Sequence, residues 1–238
     1  MTVGAHNLAL LAEQARERLG DHDSILFEGT WHTNGQIQDR AARVAGGLRR
    51  VGVDPGDRVV VMTMNTPEVF VSYHAIWRSG AVVTPVIFLQ TEPELRHILE
   101  DSGARAAIVS PELLPLITAA ATGLDLTLVV IGDVPEGTPG AVPFADLESG
   151  DPAPIEPRGD DDLAALLYTG GTSGRAKGVM LSHRGLWESG SGISAVARSS
   201  VVAAAPLAAA EAIGSSSGAW SAAHAAHHTR ERSCSTST

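Results

Sequence analysis

Apolar positions along the chain follow two periods in turn, and their alternation predicts the architecture. Residues 8–19 place Leu8, Leu11, Ala12, Ala15 and Leu19 on one helical face, with charged side chains elsewhere and Gly20 as a stop. A short strand is expected over residues 24–27. A second amphipathic helix follows, with Ile37, Ala41, Val44, Ala45 and Leu48 on its inner face and an end near Gly52. Asp54-Pro55-Gly56-Asp57 reads as a turn, because proline presets φ and glycine accepts a positive φ. Residues 58–64 read as a buried strand. Asn65 or Thr66 then caps a helix with Pro67 in its first turn and Phe70, Tyr73, Ile76 and Trp77 facing inward, stopping at Gly80. Strands are expected at 81–86, 106–109 and 126–131. Helices are expected at 91–102, with Leu95, Ile98 and Leu99 inward and Gly103 as the stop, and at 111–121. Apolar strands alternating with helices imply an α/β fold: a layered, mainly parallel sheet with flanking helices.

From residue 132 to 162 the pattern lapses into Pro, Gly and acidic residues, which reads as a long acidic surface connection. Two apolar runs then flank a polar loop: 163–167 before it and 179–181 after it. Ser182 follows and can cap a helix running from His183 toward residue 198.

Composition narrows the classes. With 44% hydrophobic residues in a chain of 238, a folded core is expected. The formal net charge of -10 argues against nucleic acid or an anionic membrane surface as the main partner. One cysteine, Cys234, rules out an intrachain disulfide. Residues 1–6 carry no basic stretch leading into an apolar run, so no signal peptide is expected. No apolar stretch reaches spanning length, and a soluble cytoplasmic protein is the expectation.

The loop carries the chemistry. Between Tyr168 and Val179 it offers Gly170, Gly171 and Gly174, the hydroxyls of Thr169, Thr172 and Ser173, and the ammonium of Lys177. Glycines let backbone N–H groups turn toward an anion, and hydroxyls and an ammonium add donors for phosphate oxygens. A Walker-type loop is excluded by spacing, since Ala176 precedes Lys177 and Gly178 follows it, leaving no hydroxyl for a metal. A dinucleotide fingerprint is absent in register. A glycine-rich turn without a ligand is the alternative.

Thr169-Gly-Gly-Thr-Ser-Gly-Arg-Ala-Lys-Gly178 resembles the phosphate loop of the adenylate-forming (AMP-binding) superfamily, usually Thr-Ser-Gly-Thr-Thr-Gly-x-Pro-Lys-Gly, with departures at Gly170, Ser173 and Ala176. Upstream, Gly52-Val-Asp-Pro-Gly-Asp-Arg-Val59, Ala75-Ile-Trp-Arg-Ser-Gly-Ala-Val-Val-Thr-Pro85 and Glu94-Leu-Arg-His-Ile-Leu-Glu-Asp-Ser-Gly103 resemble early blocks of acyl-CoA synthetases, in the same order. The resemblance covers about residues 24–197. It implies the N-terminal domain of an acyl-CoA synthetase or fatty-acid–CoA ligase, using ATP and Mg²⁺, with CoA and a carboxylic acid as co-substrates. It also implies phosphate contacts from Thr169, Gly170, Gly171, Thr172, Ser173, Gly174 and Lys177.

Residues 1–198 are therefore expected to form a partial AMP-binding domain. Residues 199–238, rich in Ala, Ser and His, are expected to be a low-complexity or aberrant tail, as from a frameshift or truncated gene. His224, His227 and His228 read as a compositional accident rather than a metal site. The family's downstream motifs for adenine, ribose, Mg²⁺ and the catalytic lysine have no counterpart here, so no catalytic residue or metal ligand is assigned. A chain ending so is expected to be inactive and to expose sheet edges. His74 is expected to be a packing or surface histidine rather than a base, His97 to be solvated, and His183 to hydrogen-bond locally at a helix start. Trp77 is expected to anchor the core, and Asp160, Asp161 and Asp162 to form a solvated acidic face.

Overall fold

The central strand shows how the layers are built. In β3 (Arg58–Met62), Val59 and Val61 point into one apolar cluster while Val60 and Met62 point into another. Successive side chains of a strand face opposite sides, so an unbroken apolar run requires cover on both. The computed structural model describes residues 3–138, 140–170 and 175–191, and Met1–Leu186 make up the unit considered below. The expected tail, the far end of the helix expected after Ser182, and the loop positions Gly171, Thr172, Ser173 and Gly174 lie outside the described residues.

Around β3 the sheet has seven strands, with β4 (Val82–Pro85), β5 (Ala106–Val109), β6 (Thr127–Val130), β7 (Val142–Pro143), β8 (Leu163–Thr169) and β9 (Lys177–Ser182) in the order β7-β6-β5-β3-β4-β8-β9. All pairs are parallel except β8 with β9, which is antiparallel. Helices α2 (Asn34–Arg50), α3 (Pro67–Arg78) and α6 (Phe144–Glu148) cover one face through Ile37, Val44, Leu48, Val71, Ile76 and Leu147. Helices α4 (Glu92–Ser102) and α5 (Leu114–Ala120) cover the other through Leu95, Ile98, Leu99, Leu114 and Ile117. This is the layered, mainly parallel sheet expected from the sequence. A separate hairpin joins β1 (Asp23–Phe27) to β2 (Thr30–Thr33), and α1 (Leu8–Leu19) opens the chain.

The helix ends follow local chemistry. Asn7 caps α1, its side chain accepting from the Ala9 and Leu10 amides. Thr91 and Glu94 form a capping box on α4, and Gly103 closes that helix at φ 57°, where a Cβ is disfavoured.

Four expectations need correction. Phe70 does not face inward; it is 49% exposed, and α3 instead buries Val71, Ser72, Ala75 and Ile76. Tyr73 and Trp77 pack at the margin of that core, and the Trp77 indole N–H donates to the Ala164 carbonyl at 3.0 Å. β2 was not expected. Its turn uses Glu28 at φ 47° and Gly29 at φ 80°, and the hairpin is too exposed to show a buried stripe. Residues 132–162 are not wholly a surface connection, because β7 extends the sheet and α6 buries Phe144 and Leu147. The acidic run is only partly solvated. Asp160 accepts from the His6 amide at 2.7 Å and pairs with His6 Nδ1 at 2.8 Å, with Arg184 at 3.4 Å. Those His6 contacts hold the Asp160 carboxyl below its usual range.

His183 bonds farther away than expected. Fully buried, it accepts the Leu8 amide on Nδ1 at 3.2 Å, tying the first turn of α1 to the residue after β9. Burial, with the Arg158 charge, pushes its pKa down to about 4. Of the two places open to His74, packing or surface, it takes the first, edge-on to Trp77 with ring centres 5.7 Å apart, and burial likewise pushes its pKa down to about 4.

Packing of α6 gives one test. A Cβ on Gly47 would lie 2.5 Å from Leu147 Cα. Gly→Ala inside a helix ordinarily stabilises by about 0.5–1 kcal/mol. Here overpacking dominates, so Gly47→Ala is expected to cost about 1–3 kcal/mol in urea denaturation, and a gain would show that α6 does not pack on α2. The histidines give another. Both have folded pKa values near 4, below the unfolded value of about 6.5, so the unfolded chain binds more protons between those limits. Their stabilisation is complete above pH 6.5 and is lost as pH falls toward 4, on the order of 1–3 kcal/mol each. Urea midpoints taken from pH 7.5 to 4.5 should fall, and His74→Phe should flatten the slope.

Candidate phosphate-binding site

The antiparallel pairing of β8 and β9 builds the loop's base. Leu166 faces Met180, Leu167 faces Val179, Tyr168 faces Gly178 and Thr169 faces Lys177. The strands run two residues further toward the loop than the apolar runs alone indicate. Two of the sequence-selected residues, Thr169 and Lys177, thereby stand opposite each other at the foot of the loop, both exposed, with Gly170 next. Among the described residues nothing lies within 4 Å of where a Gly170 Cβ would stand. Among the described residues no carboxylate pairs with Lys177 or Arg175.

Gly178 has a packing reason of its own. A Cβ there would come within 2.9 Å of Leu166 Cδ1 and 3.4 Å of Tyr168 Cζ, so glycine leaves the room that the tyrosine ring occupies. The ring joins the apolar cluster beneath α4, and its hydroxyl donates to Asp101 Oδ2 at 2.6 Å. Burial and the neighbouring Asp101 carboxylate push the phenol well above its usual pKa, so it stays a donor.

His97 corrects a further expectation. It is partly buried rather than solvated, edge-on to Tyr168 with ring centres 6.4 Å apart, and its Nε2 lies 3.0 Å from the Ala176 carbonyl. A carbonyl only accepts, so Nε2 carries the hydrogen. His97, Asp101, Arg175, Ala176, Lys177 and Gly178 line an open cleft of about 630 Å³. The cleft thus sets two cations beside a carboxylate already engaged by Tyr168.

Tyr168, His97, Asp101 and Arg175 were not selected from the sequence. The available signal was local: Tyr168 adjoins the loop, Arg175 lies within it, and His97 and Asp101 share a helix face at i, i+4. Among the described residues no group of three or more His, Cys, Asp or Glu side chains could hold a metal ion, so none is assigned to Mg²⁺. Among them, too, no helix is long and apolar enough to cross a membrane.

An open polar loop at the end of a parallel sheet is where α/β proteins hold phosphate-bearing ligands. Comparison with known proteins bears on the family. The family model described as AMP-binding enzyme matches residues 11–226. A feruloyl-CoA synthase from an Amycolatopsis species is 38% identical over 173 residues, which is 72% of this chain and 32% of that protein. A benzoate CoA ligase from Burkholderia xenovorans LB400 shares the fold with a TM-score of 0.68 and 27% identity, over 78% of this chain and 36% of the ligase. ATP-bound MatB from Rhodopseudomonas palustris does so with a TM-score of 0.64 and 32% identity, over 76% of this chain and 36% of MatB. The chain spans about a third of the length of these relatives. By the family match over residues 11–226, the chain belongs to the AMP-binding enzyme family.

Proposed function

We propose that the loop between β8 and β9 grips the β- and γ-phosphates of ATP in an acyl-CoA ligase reaction. The observation that carries this reading is the β-pairing of Thr169 with Lys177 at the mouth of a cleft also lined by Arg175. In the reaction, a carboxylate oxygen of the acid attacks the α-phosphorus of ATP. The bond to the β-phosphate breaks, and an acyl-adenylate and pyrophosphate result. The thiolate of CoA then attacks the acyl carbon and AMP leaves. A carboxylate is a poor acyl donor and a mixed anhydride a good one, which is the purpose of the first step. Catalysis of such a step is mainly positioning and charge stabilisation. Lys177 and Arg175 offset charge on the leaving pyrophosphate, and the Thr169 hydroxyl and the Gly170 amide donate to its oxygens. Gly171, Thr172, Ser173 and Gly174 complete the donor set by motif position.

The acid proposed is hydrophobic, with a fatty acid favoured by the Gly170-Gly171 form of the loop. Feruloyl-CoA synthase and benzoate CoA ligase among the similar proteins make aromatic acids the comparison set. A second reading is that these 238 residues alone bind pyrophosphate without completing adenylation, which is supported by their spanning about a third of their relatives.

Carboxylate-dependent ATP–pyrophosphate exchange, run with fatty and aromatic acids, separates the two. No exchange with retained pyrophosphate binding is expected for the chain alone, and measurable exchange would refute the second reading. Lys177→Met is expected to weaken pyrophosphate binding about tenfold, the loss of a hydrogen bond to a charged partner, in isothermal titration. Unchanged binding in this variant would remove Lys177 from the site.

A further inference from the structure

Both strands that carry the loop are fastened to the same helix. On the β8 side, the Tyr168 hydroxyl bonds Asp101 at 2.6 Å. On the β9 side, the Ala176 carbonyl accepts from His97 Nε2 at 3.0 Å. His97 and Asp101 are one turn apart on α4, and the Tyr168 and His97 rings meet edge-on, so the two fastenings touch. The second is the informative one. Ala176 lies between Arg175 and Lys177, just outside the β8–β9 ladder, whose last pair is Thr169 with Lys177, and its carbonyl meets the His97 ring. Without His97 the peptide carrying both cations would have no side-chain anchor to the body of the fold among the described residues.

We propose that His97 is a positioning residue for the cationic limb of the loop. It holds Arg175 and Lys177 toward the cleft through the Ala176 carbonyl. The proposal rests on the phosphate-binding reading above. His97 touches no phosphate in this account, and it acts by fixing the peptide from which the two cations extend. The Tyr168–Asp101 bond serves as the fixed end of the same clamp, since it holds α4 at a set distance from β8. An ammonium on a long stem loses much of its affinity when its root wanders, because binding must then order the stem and the peptide together.

Three variants of the 238-residue chain test this: His97→Leu, which removes the donor; His97→Gln, which sets an amide N–H where Nε2–H stands; and Lys177→Met. Two readouts are taken, amide hydrogen exchange at residues 175–178 without ligand and titration with inorganic pyrophosphate. His97→Leu is expected to speed exchange at 175–178 and to weaken pyrophosphate binding about five- to tenfold, the scale of one hydrogen bond, while His97→Gln restores both. A merely structural role would lower the melting temperature without this rescue pattern. Unchanged exchange in His97→Leu overturns the proposal. So does unchanged pyrophosphate binding in His97→Leu where Lys177→Met has lost it. Faster exchange in His97→Leu, together with a wild-type chain that binds no pyrophosphate, refutes the phosphate reading and leaves the clamp standing.

Discussion

The Tyr168 ring packs against Gly178 on the paired strand, where a Cβ would stand 3.4 Å from Tyr168 Cζ and 2.9 Å from Leu166 Cδ1. The rest of the site is built out from that ring. The ring reaches α4, its hydroxyl finds Asp101, and His97 stands against its edge with its second nitrogen on the Ala176 carbonyl. A glycine that looks like one more flexible point in a glycine-rich loop also has a packing role. At Gly170, by contrast, no described residue lies within 4 Å of where a Cβ would stand.

Most of the framework was legible because its physics is local. Unbroken apolar runs at 59–62 and 106–109 must be covered on both faces, and the helices between them show which face each offers. Caps such as Thr91 with Glu94 mark helix starts within a few residues. What stayed hidden depends on short or distant contacts. β7 and α6 are too brief to show a period, and they fold because Leu147 packs against Gly47 and Phe144 joins the same apolar cluster. Phe70 was placed inward on hydrophobicity alone, whereas the register of α3 presents its small neighbours Val71 and Ala75 to the sheet. The reach of His97 to Ala176 spans 79 residues of sequence and that of His183 to Leu8 spans 175, and no pattern near either histidine announces it.

The two kinds of histidine also divide the molecule by role. His74 and His183 are held neutral by burial and belong to the fold. His97 lies at the rim of the cleft with a single committed bond and belongs to the site. The charge pattern is consistent with that division. An acidic chain, -10 overall, concentrates Arg175 and Lys177 at its one glycine-rich loop, where an anionic ligand would otherwise be repelled.

The most direct test of the central claim, that this loop holds pyrophosphate, is an NMR titration of the ¹⁵N-labelled chain with inorganic pyrophosphate. The account predicts that amide shifts concentrate at residues 168–178, with the His97 ring following. Shifts spread over the acidic surface, with 168–178 unmoved, would contradict it.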